Sequence, residues 1–442
     1  MKNYTTQNNN FEKKKFLFVS YDGLISDVAW QVFKEGHDVK YYIKNPVDRD
    51  SADGLVPKVD NWEAEIVWAD IIIFDDVLGM GKWAVKARAK GKLVVGGTPY
   101  SDQLEDDRTF GQEELKKHGV KIIPYQNFES FDQAIDYVKK NPDRYVIKPS
   151  GEAQNIKRLL FVGQEDDGKD VIQVLDAYKK VWSKKIKVFQ LQKRVVGVEV
   201  AVGAFFNGNE FICPINVNFE HKKLFPGDIG PATGEMGTSM FWSNPNKIFN
   251  ATLKKLESKL AEENYVGYID INCIVNNHGI YPLEFTARFG YPTIHIQQEG
   301  ILMPTAKFFY ELANGSLKSF KAKSGFQVGI RLVVPPFPYG GSTISSSNDS
   351  RDALIIFKKQ NGMEGIHIED VKLINNEWVV AGDSGVVLVV AGCGQTMKQA
   401  QAQAYNRIKN ILIPNMYYRD DIGDRWFEDS DKLHNWGYLR EN

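Results

Sequence analysis

Phe225–Phe241, FPGDIGPATGEMGTSMF, places four glycines and two prolines in a polar run between two apolar, strand-like segments. Alone it reads as a turn-rich connection. Its neighbours give it a position. Upstream, KVFQLQKRVVGVEVAVGAFFNGNEFICPINVNF (187–219) predicts three strands broken at Gly197 and at Asn207-Gly208. Downstream, KIFNATLKKLESKLAEEN (247–264) predicts one helix, and GYIDINCIVNNHGIYPLEFTARFG (267–290) a hairpin turned at Asn276 to Gly279. The glycine run therefore joins two antiparallel units. Glycines there let backbone N–H groups approach a phosphate or carboxylate that a side chain would block.

Further toward the amino terminus the pattern changes. FLFVS, ISDVAWQVFKEG, DVKYYI, ADIIIFDD, GKWAVKARAKG and KLVVGG alternate strand and helix, which predicts a parallel, helix-covered sheet over 16–104. Ligands in such sheets sit beyond the carboxyl ends of the strands. The first turn, SYDGLISD, holds only Gly23 where a dinucleotide fold carries GxGxxG, which gives little support to NAD binding. QLEDDRTFGQEELKKHGVKIIPYQNF (103–128) predicts one amphipathic helix and a strand, and RYVIKPSGEAQNIKRLLFV (144–162) strand, loop, strand. From FQVGIRLVVPPFP onward a second strand-rich unit is closed by the helix TMKQAQAQAYNRIKNI, with a polar STISSSNDS loop at 342–350.

Composition sets bounds. The 442 residues, 43% hydrophobic and 25% charged, suffice for two to four packed units. Lys plus Arg at 55 against Asp plus Glu at 56 leaves a charge of -1, so no basic field points to nucleic acid or an anionic membrane. Any phosphate site must be local. Cys213, Cys273 and Cys393 are far apart in or beside apolar runs, the pattern of buried thiols in a reducing compartment. The start, MKNYTTQNNNFEKKK, reads as a disordered lead-in over 1–15, not a signal peptide. No apolar run reaches the ~18 residues that span a bilayer. A cytoplasmic protein is expected.

Several residues carry two readings each. Lys148, ending the strand YVIK, is either a solvated strand-end lysine or an ammonium near polyphosphate. Glu199 is a solvent-facing strand residue or a carboxylate accepting ribose hydroxyls. Glu284 is an alternating outward residue or a Mg2+ ligand. Asp270 and Asn272 share parity on the preceding strand, so they share a face of the hairpin and offer hard oxygens. Arg288 makes a surface ion pair or stabilises charge on a transferring phosphoryl group or tetrahedral intermediate.

In order along the chain, these segments resemble the ATP-grasp ligases, and within them the phosphoribosylamine glycine ligase family. EHKKLFPGDIGPATGEMGT resembles the family's DHKR...GDxGPNTGGMG, LEFTARFGYP its IEFNxRFGDP, YVIKP its VVKA strand, LQKRVVGVEV its EEFLEGEEFS segment, and NMYYRDDIG its closing motif. The resemblance implies an α/β ATP-grasp fold with an N-terminal parallel α/β domain (16–104), an ATP-grasp domain (105–320, lid about 125–190) and a C-terminal strand-rich α+β domain (321–442). It also implies ATP, Mg2+ or Mn2+, and amide formation through an acyl phosphate with release of ADP and phosphate, not AMP. Arg108 and Lys148 would hold nucleotide phosphates, with Lys148 and Arg288 catalytic. Gln192, Lys193 and Val195 would lie against adenine and Glu199 on the ribose. Gly230, Thr233, Gly234, Glu235, Gly237 and Thr238, with Arg288, would line the substrate side, and Glu284, Asn272, Asp270 and Thr286 the metal.

The departures lie mostly on the substrate side. SYDGLISD replaces a glycine-rich loop bearing Arg-Glu-His; Thr286 stands for the metal-ligand asparagine; YPTI replaces Asp-Pro-Glu-Thr; Glu235 stands for glycine; and only Gly151 survives of the lid-loop glycines. Three expectations follow: ligation of glycine to phosphoribosylamine in purine biosynthesis, the same chemistry on another amine or carboxylate, or ATP binding without ligation. The partners expected are small molecules, with a monomeric or homodimeric chain.

Overall fold

Parallel pairing organises the first hundred residues of the computed structural model, which describes residues 11–150, 153, 156, 159–339, 350–359 and 362–439. Strands β1 (Lys15–Ser20), β2 (Asp38–Ile43), β3 (Ile71–Phe74) and β4 (Leu93–Val95) form a sheet in the order β2-β1-β3-β4, with α1 (Ser26–Lys34) and α2 (Met80–Ala89) between strands. β1 and β3 are unbroken apolar runs because both of their faces are covered. Phe16, Phe18, Ile71 and Ile73 enter one core, while Leu17, Val19, Ile72 and Phe74 enter another. The first ten residues of the expected lead-in lie outside the described residues. The disorder expected up to residue 15 does not extend through Phe11, whose ring packs edge-on against His37 and Tyr310.

The single helix expected after this domain is two. α3 (Pro99–Asp106) and α4 (Arg108–Lys117) meet at Asp107, which leaves helical backbone geometry (φ -113°, ψ 96°) and caps α4 by accepting from the N–H groups of Thr109 and Phe110. A capping aspartate relieves unpaired helix-start donors, and that preference overrides the apolar periodicity. The next unit, β5 (Tyr125–Phe128), α5 (Phe131–Lys140), β6 (Tyr145–Pro149), β7 (Phe161–Val162), α6 (Lys169–Val181) and β8 (Phe189–Lys193), forms a separate sheet in the order β5-β8-β6-β7. Phe131, Val138, Ile147, Leu175, Phe189 and Leu191 give it its own core.

The rest is built on one large sheet. It uses β9 (Val198–Asn207), β10 (Ile215–Glu220), the hairpin β11 (Lys223–Phe225) and β12 (Ile229–Ala232), then β13 (Gly237–Ser243). α7 (Lys247–Ala251) and α8 (Glu257–Glu262) lead to β14 (Val266–Asn276) and β15 (Gly279–Thr286), followed by α9 (Thr293–Gly300) and α10 (Thr305–Ala313). The C-terminal part contributes β16 (Phe326–Val333), β17 (Ile356–Phe357), β18 (Ile366–Ile368), β19 (Val371–Ile374), β20 (Glu377–Val380), β21 (Val386–Gly394), α11 (Met397–Ile408), β22 (Ile411–Leu412) and α12 (Trp426–Asn435). The large sheet runs β15-β14-β9-β10-β13-β16-β21-β18, antiparallel throughout. It therefore continues across residue 320, where the sequence suggested a domain boundary.

The one helix expected over 247–264 is interrupted at Thr252 (φ -124°, ψ -97°), whose hydroxyl donates to the Ile248 carbonyl at 2.7 Å. That back-bond competes with the helical ladder and lets Leu253 and Leu256 turn into the core. α12 was not expected; Leu433 carries it onto the β9–β14 side of the same core. Most of the loop after Lys148, including Gly151, and most of the 342–350 loop lie outside the described residues. No helix among the described residues is long and apolar enough to cross a membrane.

Candidate active site

Strand register assembles the polar face. Two rows cross the sheet: Asn218–Ala201–Asn272–Glu284 and Asn216–Gly203–Asp270–Thr286. Alternation puts Val200, Val202, Ile271, Cys273 and Phe285 on the opposite face, in the core. The shared face expected for Asp270 and Asn272 thus extends to Glu284 and Thr286. Small residues form its floor: a Cβ on Gly203 would lie 2.5 Å from Asp270 Cβ, so a larger residue there would displace Asp270.

The β5-β8-β6-β7 unit supplies the cationic side. Lys148 pairs in register with Gln190, and Val146 with Gln192, so Lys148, Gln190 and Gln192 share the face away from Ile147 and Leu191. Burial pushes the Lys148 ammonium down to about 8, with Arg108 adding to the shift and Glu284 and Glu199 opposing it. Arg108, first in α4, donates to the Pro149 carbonyl at 3.4 Å beside it. Gln192 is buried with its Nε2 unpaired. Lys193 differs: its ammonium pairs with Asp143 at 2.8 Å on the outer surface. Its side chain is therefore turned outward, and its backbone N–H donates to the Pro124 carbonyl at 3.0 Å. Val195 lies in the half-buried connection from β8 to β9.

Lys222, a residue the sequence reading passed over, sits at the centre. Its Nζ lies 2.9 Å from Glu199, 3.2 Å from Glu220 and 3.2 Å from Glu284. Burial opposes its charge, but the three carboxylates outweigh this and raise its pKa. In return Lys222, then Arg108 and Lys148, hold Glu284 near 2 although its outer side is exposed. Glu220 also accepts from Asn272 Nδ2 at 2.9 Å.

Oxygen donors on this face fit a hard divalent cation. Asp270 Oδ1 and Asn272 Oδ1 are buried without hydrogen-bond partners, and each faces its ladder partner, Thr286 or Glu284. Burial, then the Glu220 charge, raises the Asp270 pKa, a strain that a bound cation would relieve. Carboxylate, amide and hydroxyl oxygens without nitrogen or sulfur suit Mg2+ or Mn2+.

The glycine run is a hairpin braced by the carboxyl-terminal segment. Arg419, 1% exposed, donates to the Lys223 carbonyl and to Asp228, each at 2.9 Å, and is paired with Asp421. Gly227 N–H donates to Asp421 at 2.9 Å. Arg425 donates to the Glu220 and Glu199 carbonyls. Gly230 lies in β12 at φ 84°, a backbone shape that glycine adopts freely. Thr233 donates to the Lys222 carbonyl, Gly234 is exposed, and Gly237 opens β13, where Thr238 pairs with Glu220. Thr238 Oγ1 and Glu235 Oε1 are buried and unpaired. Burial, then Glu220, pushes the Glu235 carboxyl well up, against Arg331 and Lys222.

Arg288 stands apart from the Lys148 cluster. It pairs with Glu105 at 3.2 Å and Asp76 at 3.6 Å and donates to its neighbour's carbonyl, Phe289 O, at 2.7 Å. The carboxyl ends of β1 and β3 thus face it with Ser20, Asp75 and Asp76, and Tyr291 OH reaches Asp75 at 3.5 Å. This is the strand-end position expected for a ligand. Lys222, Glu220, Arg419 and Arg425 are the site residues that the sequence reading missed.

Comparison with known proteins follows the same line. The profile described as Phosphoribosylglycinamide synthetase, ATP-grasp (A) domain, matches residues 106–294, and the one described as Phosphoribosylglycinamide synthetase, C domain, matches 341–425, together more than half the chain. The phosphoribosylamine–glycine ligase of Neisseria meningitidis serogroup B is 26% identical over 353 residues, covering 76% of this chain and 80% of that protein. That of Clostridium acetobutylicum is 26% identical over 358 residues with the same coverages. The crystal structure of the phosphoribosylamine–glycine ligase of Thermotoga maritima superposes with a TM-score of 0.68 at 20% identity, over 92% of this chain and 100% of that one. A biotin carboxylase–ATP complex from Campylobacter jejuni gives 0.62 at 13%, over 96% and 97%.

Proposed function

Because the chain belongs to the phosphoribosylglycinamide synthetase family, we propose that it is an ATP-dependent carbon–nitrogen ligase joining glycine to phosphoribosylamine to give glycinamide ribonucleotide, a step of purine biosynthesis. The observation that carries this is the convergence on one face of Lys148 and Arg108 from the lid side with Glu199, Asn272 and Glu284 from the sheet.

A carboxylate reacts with an amine only once one of its oxygens becomes a leaving group. Transfer of the γ-phosphoryl group of ATP to a glycine carboxylate oxygen does that, with ADP departing. The amine of phosphoribosylamine then attacks the acyl carbon and loses a proton, and phosphate leaves. Lys148 and Arg108 hold the phosphates, Glu199 the ribose hydroxyls, and Gln192 with the Lys193–Val195 backbone the adenine. Such transfers depend mainly on positioning and charge neutralisation. Glu284, Asn272, Asp270 and Thr286 would hold Mg2+ or Mn2+, which when bound supplies that neutralisation. Gly230, Thr233, Gly234, Glu235, Gly237 and Thr238 form the substrate-side wall, and Arg288, held by Glu105 and Asp76 at the strand-end side, would meet charge at the acyl centre. Closure of the lid keeps water from the acyl phosphate. A cytoplasmic monomer or homodimer with only small-molecule partners completes the reading.

Purified protein with Mg-ATP tests it: ADP release should require both glycine and phosphoribosylamine. Glu235, buried where the family has glycine, favours a second reading in which the same chemistry serves another amine or carboxylate. ADP release with a different pair, and none with this one, would establish that reading and overturn the first. Binding of ATP without turnover under any pair would overturn both.

A further inference from the structure

Away from the ATP site, Asp27 in the first turn of α1, His295 in α9 and His367 in β18 come together. One ligand atom from each lies within 4.8 Å of the others. The three are 0%, 0% and 3% exposed. His367 Nδ1 lies 2.7 Å from Asp27, and Asp27 also accepts the Ile368 N–H at 3.2 Å. Those two side chains are accounted for as a pair; His295 is not. Neither of its ring nitrogens makes a hydrogen bond, although the Leu24 carbonyl lies toward the ring and Glu369 is 3.8 Å from Nε2. Its ring stacks on His367 at 5.6 Å and 15°, and burial keeps it neutral, with a lone pair free. Buried polar nitrogens are normally paired, so an imidazole with the Leu24 carbonyl toward its ring and no close hydrogen-bond partner leaves room for a further one.

We propose that Asp27, His295 and His367 bind one divalent transition-metal ion of the zinc class, a structural centre tying α1 of the N-terminal domain to α9 and to the β18 edge of the large sheet. Two imidazoles and a carboxylate select such an ion over Mg2+ or Ca2+, unlike the all-oxygen set at Glu284. The Glu299 carboxylate lies at the other edge of His367, 3.6 Å from Nε2, outside the group of three. Zinc–nitrogen bonds of about 2.0–2.1 Å require the ligand atoms to close to roughly 3.3 Å, a side-chain adjustment. Burial of all three groups fits a closed structural site, not a catalytic one. A backbone carbonyl facing the far edge of a ligating imidazole, as Leu24 does here, is the usual orienting group.

The inference is independent of the ligase reading. Its test uses the full chain, stripped with chelator, free of ATP and titrated with Co2+. The expected result is one equivalent bound, a visible d–d band of tetrahedral type, displacement by Zn2+, and a metal-dependent rise in Tm. His295→Gln, checked for folding by circular dichroism, should weaken binding at least tenfold and abolish the band, as should Asp27→Asn; Glu284→Gln should leave the band intact. No band and no Tm rise in the wild-type chain overturns the proposal. So does a band that survives His295→Gln or disappears with Glu284→Gln.

Discussion

Lys148 offers the sharpest test, because its burial makes ATP capture depend on pH. The side chain is 7% exposed, and its ammonium is pushed from 10.5 to about 8 by burial first and by Arg108 second. A lowered pKa means that the free enzyme loses this charge as pH rises through 8, so about one-tenth remains protonated at pH 9. Since kcat/KM reports groups in the free enzyme, kcat/KM for Mg-ATP should fall about tenfold per pH unit above 8, or about 1.4 kcal/mol per unit. Bound polyphosphate stabilises the ammonium, so the corresponding limb of kcat should lie at higher pH. Lys148→Arg carries a charge that does not titrate and should flatten the limb even if its plateau is lower. Lys148→Ala should abolish turnover with the fold intact. ATP binding followed by calorimetry from pH 7 to 9.5, without substrates, gives the same curve free of chemistry. An identical alkaline limb in wild type and Lys148→Arg, or wild-type turnover in Lys148→Ala, would refute the assignment.

Three other outcomes follow from the geometry. Glu284→Gln removes the exposed carboxylate of the proposed metal face and should raise the Mg2+ concentration for half-maximal ADP release at least tenfold; an unchanged requirement would shift the ligand role to Asp270. Glu235→Gln replaces a buried acid whose pKa is raised by burial. A raised carboxyl pKa costs stability once pH exceeds the unfolded value near 4.5, so the variant should melt higher than wild type at pH 8, with the gap closing toward pH 4; equal melting at pH 8 would mean that Glu235 is ionised and paired. Arg419→Ala strips partners from the Lys223 carbonyl, Asp228 and Asp421, and should cost about 1–3 kcal/mol in denaturant unfolding, with a rise in KM for a substrate on the glycine-hairpin side; a loss of stability without any change in KM would separate the brace from the site.

Legibility in the sequence tracked how local each determinant is. β1 and β3 could be read because burial on both faces leaves apolar runs, and the shared face of Asp270 and Asn272 because alternate residues of one strand point the same way; Glu284 joins that face only through a bulge between Asn272 and Cys273, which shifts the register set by the turn and left no sequence signal. The breaks at Asp107 and Thr252 were hidden: one side-chain hydrogen bond decides each, against a periodicity that favours continuity. Lys222 lies in the quoted EHKK motif, but its role depends on Glu199, Glu220 and Glu284 arriving from three different strands. Glu220 had a local signal, since it continues the parity of Asn216 and Asn218 along β10. Arg419 reaches back 196 residues to Lys223, a contact that no window of sequence could suggest.

Glu235 changes meaning once its surroundings are known. As an extra carboxylate in a substrate wall it would repel an acid substrate and argue for a cationic one. Buried, with one oxygen unpaired and Glu220 nearby, its carboxyl is shifted toward the protonated form. Arg331 and Lys222 oppose that shift, Arg331 while donating to the Glu235 backbone carbonyl at 3.2 Å and pairing with Glu369 at 2.8 Å. On the proposed substrate wall, a protonated Glu235 would be a neutral donor where the resemblance places glycine. Such a group can hydrogen-bond a carboxylate or acyl phosphate oxygen as readily as an N–H does. In that state the substitution would alter the shape and donor pattern of the proposed pocket without altering its charge, and would narrow which carboxylate fits while leaving intact the chemistry that activates it.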